Sequence, residues 1–310
     1  MKKMTISIVT IVILIYIGYE MLTESSYIIN SVTDSFILWR SNLFPSLFPF
    51  FVLSHLLIEY GFVELVSEIF KPVMNYLFKI SGKSAFIFIL SIISGFPSSA
   101  KYTRELYLQG LIDEKEATKT LMFTHFANPL FILGTISITF LNDKRAGLIV
   151  LIVHYLSNIL IGMIFRNYGF KTEKKELISI KNALINMSNR KNKSFGEIIN
   201  NALLSSINAL LLILGVVTIF MIITTIIEIH FNFDISGILE ISQGLRNVSL
   251  MDIPLKTKTI LSTMIISFGG LSVHTQIISI LSDTNIKYFP FLIARILHGI
   301  ISGILVYLVF

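Results

Sequence analysis

Apolar stretches about as long as a membrane-crossing helix alternate along this chain with short polar ones, and two of the apolar stretches are interrupted from within. Residues 4–21 follow the basic start MKKM and predict a first span with its N-terminus inside. No small-residue cleavage site comes after it, so it reads as uncleaved. Residues 27–42 hold the single tryptophan, Trp39, beside Arg40, and predict an interfacial helix. A second span is expected over 43–60, with Pro45 and Pro49 as a tolerated kink at its entry. Residues 62–83 carry Glu64, Glu68, Lys71, Lys79 and Lys83 and predict an amphipathic piece at the cytoplasmic surface. The apolar run 84–93 is only about half a crossing, so it is expected to enter and stop. Spans are predicted over 121–140 and 146–165, then a basic stretch, 166–193, that belongs in the cytoplasm by the positive-inside rule.

Parity supports the stop. Four full spans and one re-entrant element return the chain to the cytoplasm at the basic stretch, whereas five full spans do not. Asp143, Lys144 and Arg145 then face outward. The second half repeats the plan: a long apolar run to about residue 227, then a polar segment 228–257 with Glu228, Asp234, Glu240 and Asp252. TILSTMIISFGGLSVHTQIISILS follows, and a last span over 289–309. The expected fold is therefore an all-α polytopic membrane protein with two inverted-repeat-like halves, each holding a re-entrant or broken helix. The expected divisions are 1–42 (first span and interfacial helix), 43–165 (first repeat), 166–193 (linker) and 194–310 (second repeat).

The first break, SGFPSSAK, places Ser94, Gly95, Pro97, Ser98, Ser99 and Lys101 where a membrane helix would keep its backbone regular. An unpartnered backbone group costs several kcal/mol at that depth, so such a break lines a cavity or joins two spans as a plain loop. Gly95 and Pro97 stop the helix, the serines offer hydroxyls, and the helix that starts after them presents N–H donors suited to an anion. The second break holds Ser267, Gly269, Gly270, Ser272, His274 and Gln276. Paired glycines also serve close helix packing, but two breaks, one in each half, point to a site between them.

Composition narrows the class. Of 310 residues, 54% are hydrophobic and 14% charged, with 25 Phe and a mean hydropathy of +0.77, which no ordinary soluble domain shows. The net charge of +6 gathers in loops and reads as a topology signal, not as a nucleic-acid surface. With no Cys there is no disulfide, thiolate zinc site or cysteine nucleophile, and no cofactor or metal is expected.

Each further candidate has two readings. Lys101 either pairs with a carboxylate or snorkels. His274 is an ionisable group at depth and hence a functional candidate. Asn128 in FANPLF, the neighbouring His125, and Asn208 in SSINALL either touch a polar solute or hydrogen-bond a neighbouring helix. Arg295 and His298 lie three apart on one helical face, and Arg295 either binds a carboxylate or anchors a helix. Phe96 and Phe268 are candidates to pack on a solute ring. An intramembrane serine hydrolase is the rival enzyme reading, without a GxSxG signature or an acid to orient His274. A non-transporting scaffold is the third.

LFPSLFPFFVLSHLL, SGFPSSAKYTREL, FANPLFILGTI, SSINALLLILG, LEISQGL, FGGLSVHTQIISILS and YFPFLIARILHG together resemble, in order and over nearly the whole chain, the sporulation integral membrane proteins of the YlbJ type. That resemblance implies paired nucleoside-recognition ("Gate") domains and an architecture similar to concentrative nucleoside transporters. It further implies passage of dipicolinic acid, a small anionic solute, into the forespore, from the cell membrane or the outer forespore membrane. Phe96 and Ser99 stand where relatives have Tyr and Gly, and Thr275 where they have Ala. The implied mechanism is alternating access, with a nucleoside-like solute as the alternative cargo. The lipid bilayer is a partner, nucleic acid is not, and a homo-oligomer is left open.

Overall fold

The computed structural model describes residues 2–169, 180–188, 194–231 and 234–310, so most of the basic linker expected over 166–193 lies outside the described residues. In chain order the helices are α1 (Lys2–Thr23), α2 (Ser25–Leu38), α3 (Phe44–Glu59), α4 (Phe62–Phe78), α5 (Ser84–Ser94), α6 (Ser98–Leu108), α7 (Glu114–Phe123) and α8 (Lys144–Ile164). They continue as α9 (Ile180–Ser188), α10 (Phe195–Phe231), α11 (Ser236–Leu239), α12 (Ile241–Leu250), α13 (Leu255–Phe268), α14 (Gly270–Ile280) and α15 (Tyr288–Val309). Two π-helical stretches, Trp39–Leu43 and Phe131–Phe140, join α2 to α3 and precede α8.

Among the described residues α8, α10, α15 and the pair α13–α14 are each long and apolar enough to cross a bilayer. Two more apolar pairs are sharply bent: Ser7–Thr23 with Ser25–Leu43 at 99°, and Leu47–Glu59 with Phe62–Phe78 at 88°. The chain is an all-α polytopic membrane protein.

The segment expected at the interface packs lengthwise on α10. Its polar residues, which resemble a headgroup-facing set, are helix-to-helix links: Ser31 Oγ lies 2.7 Å from Thr225 Oγ1, Ser35 Oγ 2.7 Å from Thr218 Oγ1, and Trp39 Nε1 donates to Leu210 O at 2.9 Å. Helical backbone also runs without a gap from Ser25 to Glu59, across the division expected after residue 42. Pro45 lacks an N–H, and the wider π turn just before it absorbs the missing bond.

Three interruptions differ in kind. Helices α5 and α6 fold back on each other, with the Phe86 and Tyr102 rings 6.1 Å apart, as the short run 84–93 leads one to expect. The second break does not reverse the chain: α13 and α14 together remain one 26-residue crossing, interrupted at Gly269. The expected span 121–140 is itself broken, because residues 124–128 are not helical and separate α7 from the π-helix. The Asn128–Pro129 step explains the break, since a residue before proline is pushed out of the α conformation. A core of buried side chains from both halves, including Phe86, Tyr102, Phe123, Ile266 and Phe291, holds these pieces together.

Candidate functional site

The hairpin tip between α5 and α6 closes over the non-helical stretch 124–128. Gly95 takes φ 77° and ψ −177°, a region open to glycine alone, and its open α-carbon lets the Asn128 backbone lie against it. The Asn128 side chain donates to Ile93 O and Ser94 O at 3.2 Å each, satisfying the exposed end of α5, and accepts from Leu130 N at 2.7 Å. Two of the tip hydroxyls are used internally. Ser94 Oγ donates to Leu90 O at 2.7 Å and lies 2.6 Å from Ser98 Oγ, which also bonds Gly95 O. Ser99 Oγ is buried with no hydrogen-bond partner.

Stretch 124–128 has no ladder of its own, and α8 supplies the partners. Asn158 Nδ2 donates to His125 O at 2.8 Å, Tyr155 Oη to Ala127 O at 3.0 Å, and Ala127 N donates to His154 Nε2 at 2.9 Å. Because His154 Nε2 accepts, its Nδ1 carries the proton and donates to Ser267 Oγ at 3.0 Å. That tautomer cannot take a proton from Ser267, so this Ser–His contact is not a nucleophile with its base.

Arg295 is fully buried. It donates to Met122 O at the end of α7, to Asn158 Oδ1 at 3.1 Å and to His298 Nδ1 at 2.7 Å, whose Nε2 in turn donates to His154 O at 3.0 Å. Its Nη2 group thus joins α15 to the end of α7 and to α8. His274 is equally engaged, with Nδ1 2.8 Å from Tyr288 Oη and Nε2 3.0 Å from Phe268 O, which caps the end of α13. Gly269, at φ 95°, turns the chain there, with Ser267 just before it.

The polar segment 228–257 conceals another tight reversal. Helices α11 and α12 pack backbone to backbone through Gly237 and Gly244, with Glu240 extended between them. Glu240 is 3% exposed, and its carboxylate accepts from Gln243 N at 2.8 Å, capping α12. Gly270 of the second break lies against Leu239 and Ile241 at this reversal.

One cavity of about 50 Å³ collects all four interruptions. Phe96 and Pro97 reach it from the α5–α6 tip, Glu240 and Ser242 from the α11–α12 tip. Asn128 and Phe131 come from the first broken element, Val273 and Gln276 from the second. Ile213 and Val217 of α10 and Leu43 and Leu47 close the remaining wall.

Of the residues expected from the sequence, Pro97, Asn128 and Gln276 therefore line the cavity, and Ser94, Gly95, Ser98, Gly269 and Gly270 shape its walls. Lys101 does not line it. Its ammonium is buried without a hydrogen-bond partner, 5.0 Å over the Phe51 ring. Arg295, Ser267 and His274 stand behind the wall as its supports, and Ser272 Oγ is buried and unpartnered. Asn208 is exposed on the outer face of α10. Glu240 and Phe131 are cavity residues that the sequence alone does not single out. Among the described residues no cluster of His, Cys, Asp or Glu could hold a metal ion.

A helical membrane protein with a largely apolar cavity, carrying a few polar side chains, between hairpin tips and broken helices belongs to the transporter-like class, and residues 41–144 match the nucleoside-recognition Gate family. The chain is 33% identical to the sporulation integral membrane protein YlbJ of Bacillus subtilis (strain 168), over 87% of this chain and 74% of that protein. It belongs to that family, and is an integral membrane protein. No solved structure matches the chain.

Proposed function

We propose that the cavity is the solute site of a transporter and that its cargo is a small, flat, ring-bearing solute, nucleoside-like in chemistry, moved by alternating access. The observation that carries this reading is that the buried Glu240 lines one cavity together with Asn128, Gln276, Phe96 and Phe131, with no Lys, Arg or His among the lining residues. A carboxylate accepts hydroxyl protons, as a ribose offers them, and repels an anion. Asn128 and Gln276 supply donors and acceptors for ring edges, and the phenylalanines supply faces for stacking.

A site for such a solute usually measures some 300–1,000 Å³, so the present cavity corresponds to a closed arrangement that must widen to load. The two hairpin tips and the two broken elements pair naturally as inverted repeats: α5–α6 with α11–α12, and 114–140 with 255–280. Rocking of one repeat on the other would open the cavity to either face in turn.

A second reading, dipicolinate, is favoured by the buried, unpartnered Lys101 ammonium one turn behind the Phe96 tip and by the sporulation relative. In either case we place the protein in a membrane of the sporulating cell, as the relative's name suggests. The test is uptake by vesicles reconstituted with the purified protein, comparing labelled uridine with labelled dipicolinate. Uridine uptake that dipicolinate does not compete away supports the first reading and the reverse supports the second. Vesicles that take up neither would remove the transport proposal.

A further inference from the structure

Helices α3 and α6 hold three ionisable side chains against one another with part of their hydrogen-bonding capacity unmet. Lys101 and Glu105 lie one turn apart on one face of α6, and His55 of α3 stands opposite, with Nδ1 3.7 Å from Glu105 Oε1. That separation is too long for a hydrogen bond. His55 Nδ1, Glu105 Oε2 and Lys101 Nζ are all buried atoms without a hydrogen-bond partner, and the Lys101 ammonium rests 5.0 Å over the Phe51 ring. One such group is rare in a folded protein, and three in contact need a reason.

The ionisable groups around this cluster are engaged elsewhere. Arg104 pairs with Asp283, and Tyr102 Oη donates to Ser94 Oγ at 3.1 Å. Helix α5 carries no ionisable side chain. On α7, Glu116 accepts from Ser81 and Ser84, Lys119 donates to Lys79 O and Arg166 O, and Glu114 pairs with Lys287. His274 of α14 bonds Tyr288 and Phe268. Helix α10 has ionisable residues only near its ends, Arg40 lies beyond the opposite end of α3, and Glu59 and Glu64 sit at the α3–α4 bend. The cluster is also graded in depth. His55 and Glu105 lie about a turn from the ends of their helices, with side chains 16% and 15% exposed, whereas Lys101 is a turn deeper, buried, and one turn from Pro97 on the cavity wall.

A metal cation entering here would meet the Lys101 ammonium, and an anion would meet the Glu105 carboxylate. A proton suits the cluster, because a carboxylate and an imidazole each accept one. We propose that His55, Glu105 and Lys101 form a proton site that couples solute movement to proton movement. The Glu105 carboxylate, with His55 beside it, takes a proton from hydronium and leaves water, then returns the proton to water at the other face once the α5–α6 hairpin has moved. Loading changes the cluster from neutral, with Lys101 and Glu105 offsetting each other, to a single positive charge one turn behind the cavity wall. This rests on the reading of the protein as a transporter.

The experiment uses vesicles reconstituted with the full chain and loaded with a pH-reporting dye, with the membrane potential held at zero by potassium and valinomycin. Accumulation of whichever of uridine and dipicolinate the wild-type protein carries is measured with and without a gradient of about one pH unit, acid outside. One proton per solute would sustain up to about tenfold accumulation. For the wild-type protein the gradient should raise accumulation severalfold, and solute entry should acidify the interior. Glu105→Gln should lose both while retaining exchange of labelled for unlabelled solute, which needs no net proton movement and reports that the protein is folded. Glu105→Asp should restore part of the acidification. If Glu105 only ties α6 to α3, Glu105→Gln will lower exchange and uptake together and leave the response to the gradient at its wild-type ratio, which overturns the inference. Wild-type uptake that ignores the pH gradient, or follows a sodium gradient instead, also overturns it while leaving the transport reading standing. No uptake of either solute by the wild-type protein would end both.

Discussion

Gly95 and Asn128 touch backbone to backbone: a β-carbon on the glycine would stand 2.4 Å from the Asn128 nitrogen. This contact seats the first hairpin tip on the first broken helix, and no side chain fits there. Gly95→Ala would impose both the overlap and a backbone conformation open to glycine alone, at a cost of about 3 kcal/mol. Thermal unfolding in detergent should show a clear fall in midpoint, with uptake abolished. A variant of wild-type stability would mean that the tip is not seated as described.

That contact was half legible in the sequence. Glycine and proline just after a ten-residue apolar run announce a helix that cannot cross, and the fold-back of α5 and α6 follows from the shortness of that run. The partner stretch was hidden, because THFANPLF sits inside an apolar run and reads as a span with a proline kink. Its backbone is held by His154, Tyr155 and Asn158, roughly thirty residues further along, and such tertiary partners leave no local mark. Glu240 was hidden for the opposite reason. Four acids in segment 228–257 look like a solvated loop, whereas Gly237 and Gly244 fold it into a tight reversal that buries one of them. His274 and Arg295 were conspicuous as ionisable groups at depth, and the structure gives both to helix ends.

Glu240 separates the two cargo readings by sign. Burial pushes the Glu240 carboxyl up, so the comparison is made at about pH 8, where Glu240→Gln keeps the shape of the side chain and removes its charge, weakening the α12 cap by about 1 kcal/mol. Uptake of uridine should fall at least about tenfold, since a charged acceptor bonds hydroxyls more strongly than an amide does. Uptake of dipicolinate should instead hold or rise, because the nearest negative charge is gone. If both solutes respond alike, the cavity wall does not face the cargo.

Arg295 should behave as a support. Its guanidinium joins α15 to the end of α7 and to Asn158, and Lys cannot span those partners with a single ammonium. Arg295→Ala and Arg295→Lys should therefore both destabilise the protein, the former by about 3 kcal/mol through stranded carbonyl and amide groups. Measured on the folded fraction, the concentration of solute giving half-maximal uptake should stay within about twofold of wild type. A large rise in that concentration without loss of stability would place Arg295 on the solute instead.

Arg104 and Asp283 tie the outer arm of the first hairpin to the loop after α14. Arg104 Nε donates to Asp283 Oδ1 at 2.7 Å, and Nη2 bonds Oδ2. The guanidinium holds the Asp283 carboxyl below its ordinary range, so the pair is present above the usual aspartate pKa and is lost only as pH falls through that lowered value. Between about pH 5 and 8 it stays formed, and any pH dependence of uptake in that window has another source. Both groups are partly exposed, at 33% and 52%, so Asp283→Asn should leave global stability nearly unchanged. Its effect should instead be local, because the pair is a direct charged link from α6 to the second half. Amide exchange within α6 should quicken severalfold, with α8 and α15 unchanged, and Arg104→Lys should reproduce this by losing the two-pronged geometry. Exchange in α6 that matches wild type in both variants would show that the hairpin arm is held by its buried face alone.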